Sequence, residues 1–106
     1  MNDQLTILKD LKIQLLEKDS ELIKEVILFG SQVHGNATND SDYDILIIVH
    51  RKPSFKEKAL ISDVCYNIDL KYVILIDSHV LSISELNLLR GKQPIYQTAI
   101  ANGIYA

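Results

Sequence analysis

Asp42 and Asp44 stand two residues apart where the apolar run "DYDILIIVH" begins. Alternate residues of an extended strand face the same way, so the two carboxylates project side by side. Neighbouring carboxylates repel, and burying even one of them unpaired is expensive. A divalent cation resolves that conflict, and hard oxygen ligands suit Mg²⁺. Two such cations about 3.5–4 Å apart are a common arrangement for in-line phosphoryl or nucleotidyl transfer. The plainer reading has one aspartate capping the strand and the other paired with a lysine.

The pair has company. Gly30-Ser31 ends the preceding apolar strand "EVILFG", with ten residues between Ser31 and Asp42. A glycine there lets the backbone come close to an anion, and free N–H groups at such a turn favour phosphate. The Ser31 hydroxyl can donate one more hydrogen bond to the same group. Alone, a Gly-Ser step is a turn. Joined to a strand that opens with two carboxylates, it makes a phosphate cradle facing a metal pair.

The elements that must hold these residues follow from periodicity. Leu5, Leu8, Leu11, Leu15 and Leu16 have the spacing of an amphipathic helix over residues 4–18, capped by Asn2 or Asp3. "EVILFG" predicts a short buried strand, "SQVHGNA" a short helical turn stopped at Gly35, and "TNDS" a loop. "DYDILIIVH" is apolar throughout after Asp44, which predicts a central strand covered on both faces. From Phe55 to Tyr72, Ala59, Ile61, Val64, Cys65 and Ile68 repeat at helical spacing behind a Ser54 cap. "VILIDSHVL" predicts a third strand with Asp77 in its middle, and "SISELNLLRG" a capped helix stopped at Gly91. "QPIYQTAIANGIYA" predicts a last short helix and an extended tail. The order implies an α/β (α+β) domain, a small mixed β-sheet flanked by helices.

"GSQVHGNATNDSDYD" resembles the Gly-Ser, ten residues, Asp-x-Asp signature of the DNA polymerase β-like nucleotidyltransferases. It is most similar to the minimal nucleotidyltransferase (MNT) group, with Gly35, Ala37, Ser41 and Asp42 at that group's positions. The similarity runs from the first helix to the "PIYQTAIANGIY" ending. It implies the polymerase β-like fold, a two-Mg²⁺ site, and ATP as the nucleotide substrate. Carried onto this chain, Asp42 and Asp44 hold the metals, and Gly30, Ser31, His34 and Ser41 line the nucleotide. Many members have Arg where this chain has His34. Arg offers a permanent two-pronged grip on phosphate, whereas His is mostly neutral at pH 7, so the departure bears on nucleotide affinity and pose.

The resemblance also implies a third carboxylate beside the Asp-x-Asp strand. Asp69 and Asp77 are the candidates. Helical spacing leaves Asp69 beside the buried stripe and solvated. Asp77 interrupts an apolar strand, where an unpaired charge costs several kcal/mol and calls for a partner. Asp77 is the favoured catalytic and metal-binding residue; the alternative has it at a strand end turning into solvent. His79 lies two beyond Asp77, so a regular strand puts both on one face, but it reads as a surface histidine. Cys65 reads as a small core residue, and Tyr72, Tyr96 and Tyr105 as core or interface.

Bulk properties narrow the class. The 106 residues suit a single domain over 1–106. A composition 47% hydrophobic and 24% charged is that of a globular protein. The net charge of −3 argues against direct nucleic-acid binding. One cysteine precludes an internal disulfide and a cysteine metal cluster. No apolar run reaches membrane length and "MNDQLTILKD" lacks the features of a signal peptide, so a cytoplasmic protein is expected.

The chain ends soon after the third strand, leaving little to form an acceptor pocket. The resemblance supplies an acceptor: MNT proteins are paired with HEPN-domain toxins, and some transfer AMP to a toxin tyrosine as antitoxins. A non-catalytic antitoxin that neutralises its partner by forming a complex is the second hypothesis. Transfer to a small molecule is the third, without a visible acceptor-binding part. Homo- or hetero-oligomers are compatible with all three.

Overall fold

The structure is a computed structural model and describes residues 3–30, 42–88 and 92–106. Helix α1 spans Gln4–Lys18, and the Asp3 carboxylate caps it by accepting the Thr6 N–H at 2.7 Å. Its buried face is Ile7, Leu8, Leu11 and Leu15. Leu5 was expected on that face but is 42% exposed, because at 100° per residue it falls about 100° from the stripe's centre.

Strands β1 (Ile23–Phe29) and β2 (Tyr43–Val49) pair antiparallel, with Phe29 opposite Asp44. Helix α2 (Phe55–Tyr72) then crosses over to strand β3 (Ile76–Ser82), which runs parallel to β2. Ser54 caps α2 in a reciprocal box: its hydroxyl accepts the Glu57 N–H at 3.1 Å, and Glu57 accepts the Ser54 N–H at 2.9 Å. Helix α3 is a single turn, Ile83–Leu86, shorter than the sequence pattern implied, with a second such box from Ser82 and Glu85. Helix α4 (Pro94–Asn102) leads into β4 (Ile104–Tyr105), so the expected extended tail is a fourth strand, paired with β1. The sheet order is β3-β2-β1-β4.

Alternation along β2 divides the interior in two. Ile45, Ile47 and Val49 face a core built with α1 and α2, containing Leu8, Leu11, Ile61, Val64 and Ile68. Leu46 and Ile48 face a smaller core with Ile27, Phe29, Leu81 and, from α4, Tyr96 and Ala99. Both faces of β2 are covered, as its unbroken apolar run predicted. Gly103 makes the last turn possible: a Cβ there would strike the Ala99 carbonyl and Ile27.

The third strand begins later than its hydrophobicity suggested. α2 stops at Val73, which adopts the left-handed region at φ 54°, and Ile74 donates its N–H back to the Asp69 carbonyl at 3.1 Å. Ile74 and Leu75 bridge to Ile76, so Asp77 is the second residue of β3 rather than its middle. Its side chain is 55% exposed, and burial therefore exacts no large cost there. Asp69 is the reverse case. Expected in solvent, it is half-buried and its carboxylate accepts the Ile76 N–H at 2.9 Å, fixing the helix-to-strand turn.

Candidate active site

The site lies where β1 ends and the parallel strands β2 and β3 begin, on the α4 face of the sheet. The Tyr43 N–H donates to the Leu75 carbonyl at 2.8 Å, which sets the register of β2 against β3. That register places Asp44 directly opposite Asp77. Asp42 precedes β2 by one residue and is exposed, and its charge is felt at both Asp44 and Asp69. Thus β2 and β3 together bring Asp42, Asp44 and Asp77 to one edge.

Gly30 closes the cluster from the β1 side. Its φ is +81°, a conformation that L side chains rarely adopt. Any Cβ at this position would run into the Asp44 carboxylate. The glycine thus lets the end of β1 lie against the central carboxylate, as close approach to an anion requires. A cavity of about 320 Å³ opens beside it, lined by Phe29, Gly30, Asp44, Pro94, Ile95 and Thr98. A larger hollow of about 410 Å³ involves Ser78 and Val80, whose side chains point to the other face of β3, with Lys58 and Ile61 of α2. It holds none of the candidate residues.

Electrostatics single out Asp44. Partial burial pushes its carboxyl above the ordinary range, and the charges of Asp77 and Asp42 push it further, against an opposing pull from His79. Asp69 is raised as well, by burial first and by Asp42 last, while the Ile76 N–H opposes. Among the described residues, no lysine or arginine forms an ion pair with Asp42, Asp44 or Asp77.

His79, read from sequence as a surface residue, is drawn into the cluster. Its Nε2 lies 3.5 Å from Asp77 Oδ2, and its Nδ1 is 3.4 Å from the Tyr96 hydroxyl. Its ring packs on Phe29 with centroids 5.5 Å apart. The signal was its i+2 spacing from Asp77; what sequence did not show was that α4 delivers Tyr96 to hold the ring. Donor atoms of Asp44, Asp77 and His79 lie within 4.8 Å of one another. Two convergent, mutually repelling carboxylates with the His79 ring form a donor set that fits a divalent cation; Asp42, expected as a ligand, is not in that group. Cys65 is outside this chemistry: burial pushes its thiol up to about 11, which makes it inert. Ser31, His34 and Ser41, with Gly35, Ala37 and the expected helical turn, lie outside the described residues.

Known proteins resemble this chain in sequence and in fold. The family model "Polymerase beta, Nucleotidyltransferase" matches residues 11–102. A Methanocaldococcus jannaschii protein named "Putative protein adenylyltransferase MJ0141" is 39% identical over 70 residues, 66% of this chain and 71% of that protein. A second from the same organism, "Putative protein adenylyltransferase MJ0604", is 35% identical over 82 residues, 77% of this chain and 76% of its own length. In three dimensions the chain resembles one in the "Crystal structure of the toxin-antitoxin with AMP-PNP", with a TM-score of 0.60 at 16% identity, covering 92% of this chain and 70% of that one. The last likeness bears on the fold, a four-stranded mixed sheet with helices. The family match spans most of the chain, including the strand ends that gather Gly30, Asp44 and Asp77, and on that evidence the chain belongs to the polymerase beta nucleotidyltransferase family.

Proposed function

We propose that this protein transfers AMP from ATP to a tyrosyl hydroxyl of a HEPN-domain toxin, and so acts as its antitoxin. The observation that carries the reading is the register that sets Asp44 against Asp77, beneath a glycine whose missing side chain lets the end of β1 lie against the Asp44 carboxylate. The adenylyltransferase names of two relatives support the choice of nucleotidyl group. The toxin–antitoxin setting of the structural neighbour supports a protein acceptor.

Asp42, Asp44 and Asp77 would hold Mg²⁺. When bound, the metal neutralises the three carboxylates and the triphosphate and lowers the pKa of the attacking hydroxyl. Gly30 admits the triphosphate to the end of β1, with Ser31, His34 and Ser41 as further contacts to it. The hydroxyl oxygen attacks the α-phosphorus, and the bond to the bridging oxygen of pyrophosphate breaks. Asp77, the most exposed member of the carboxylate pair, faces the acceptor and takes the hydroxyl proton. Asp44, deeper and hemmed in by its neighbours, keeps the reacting group in line.

The test incubates the protein with α-labelled ATP, Mg²⁺ and the product of a neighbouring reading frame. Label should appear on a tyrosine of that product and fall about a thousandfold or more with Asp42→Asn combined with Asp44→Asn. No labelling, together with full neutralisation of the partner by the double variant, would reject catalysis and leave an antitoxin that works by complex formation alone.

A further inference from the structure

The outer side of α2 carries an apolar stripe that none of the described residues covers. Phe55 and Val73 are each 90% exposed, Tyr66 61% and Leu70 62%. Phe55, Tyr66 and Leu70, with the exposed small residues Ala59 and Ser62, fall within about 80° of arc at 100° per residue, and Val73 follows at the helix C-cap. The buried positions Ile61, Val64, Cys65 and Ile68 lie on the opposite side of the helix. Leu75, just past the helix, extends the patch at 59% exposure. The other exposed large apolar residues among those described, Leu5, Ile13, Leu88, Ile95 and Tyr105, lie off α2.

We infer that this stripe is the contact between two copies of this chain, packed as an antiparallel α2–α2 pair about a two-fold axis near Val64. The order of residues along the stripe argues for a second copy. Reversing the helix about that axis sets Phe55 against Val73 of the mate, Ala59 against Leu70, and Ser62 against Tyr66. A large side chain meets a smaller one at every level, the condition for two helices to interlock. A two-fold axis of this kind also keeps each flank of the stripe on its own side. On one flank Lys58 of each copy stands level with Asp69 of the mate, two opposite-charge pairs held at longer range because the half-buried Asp69 carboxylate accepts the Ile76 N–H of its own chain. On the other flank Asp63 of each copy sits beside the axis, and the two repel.

Covering the patch removes roughly 600 Å² per chain, which reaches the lower end of what specific dimers bury. A weak, reversible dimer is the expected result. This inference rests on the α2 surface alone and is independent of the proposed transfer reaction. The stripe lies on the helix side away from the sheet, whereas Asp44 projects on the sheet's α4 face.

Sedimentation equilibrium or light scattering across a concentration series tests it. The wild-type chain should pass from monomer to dimer at micromolar concentration. Tyr66→Glu with Leu70→Glu should raise the dissociation constant more than about a hundredfold, with an unchanged circular dichroism melt because both side chains are exposed. Lys58→Glu should weaken association by about fivefold, and Asp63→Asn should tighten it by a few-fold. Under oxidising conditions, a chain carrying both Phe55→Cys and Val73→Cys should form covalent dimers, and neither single variant should. A chain that stays monomeric throughout, including one whose stripe is covered only when another protein is added, overturns the inference. So does a single cysteine at Phe55 that cross-links by itself, since that requires parallel helices.

Discussion

Asp10 and Asp44 are the same residue type, both largely inside the folded surface, and the protein treats them in opposite ways. Asp10, on α1, accepts hydrogen bonds from Lys71 at 2.7 Å, from the Tyr72 hydroxyl and from Gln14 at 3.1 Å. These donors, Lys71 foremost, hold its carboxyl down at about 2. Asp44 has two other carboxylates for neighbours, and its proton affinity is raised by burial and by their charge. At Asp10 both carboxylate oxygens are answered within the chain, and the Lys71 and Tyr72 donors tie α1 to α2. At Asp44 the chain leaves a charge imbalance that a cation from solution can correct. A carboxylate that fastens the fold is supplied with donors; one that awaits a ligand is supplied with rivals.

The contrast can be broken most severely at the rival carboxylate. Asp77→Asn should lower labelling of the acceptor by about a hundredfold or more in a transfer assay with saturating ATP, while leaving the melting temperature unchanged or raised. A variant that loses stability in step with activity would mean that Asp77 is structural, as Asp10 is. Next in size is Gly30→Ala. The positive φ and the collision with Asp44 together cost about 2 kcal/mol, measurable by urea denaturation, and nucleotide binding should fall with it.

Asp10→Asn sharpens the other side of the comparison, through pH. A carboxylate whose folded pKa is depressed adds stability that is fully present above its unfolded pKa and is lost as the pH falls toward its folded value. Denaturation midpoints should therefore decline between about pH 4 and about pH 2 in the wild type, and the Asn variant should flatten that decline. Its loss at neutral pH should be about 1 kcal/mol, since Lys71 is 57% exposed and water screens the pair. Asp44→Asn has the smallest expected effect and the opposite sign. Its folded pKa is raised, so ionisation costs stability as pH climbs past about 4, and removing the charge should stabilise the cation-free protein at pH 7, read as a higher urea midpoint than that of the wild type. Adding Mg²⁺ should reverse the ranking, raising the melting temperature of the wild type and not of the variant.

Where local chemistry decides, the sequence was enough. Asp3 and Ser54 cap the helices they precede, β2 is covered on both faces, and Gly30 adopts the conformation that only a residue without a side chain takes easily. What escaped was decided by tertiary contacts. Val73, Ile74 and Leu75 have strand-forming side chains, yet the Asp69 carbonyl and carboxylate hold that segment as a turn, delaying β3 to Ile76. Asp77 is therefore exposed where its apolar neighbours implied burial, and the register with Asp44, not a cost of burial, sets it beside that carboxylate. Ile104–Tyr105 is too short to register as a strand by pattern, and forms because β1 offers a free edge. His79 gained its place through Tyr96, seventeen residues away on another element.

The crossover through α2 has a consequence for the order of assembly. Gly30 and Asp44 belong to neighbouring antiparallel strands and can meet early, but Asp77 joins only after α2 has formed and swung β3 against β2. We take this non-local contact to close after the barrier to folding has been passed, an order that the rates below test. The repulsion between Asp44 and Asp77 would then be absent while the chain commits to its topology, and the protein can carry an electrostatically unfavourable site without folding slowly. Neutralising Asp77 should accordingly slow unfolding in stopped-flow experiments and leave the folding rate nearly untouched.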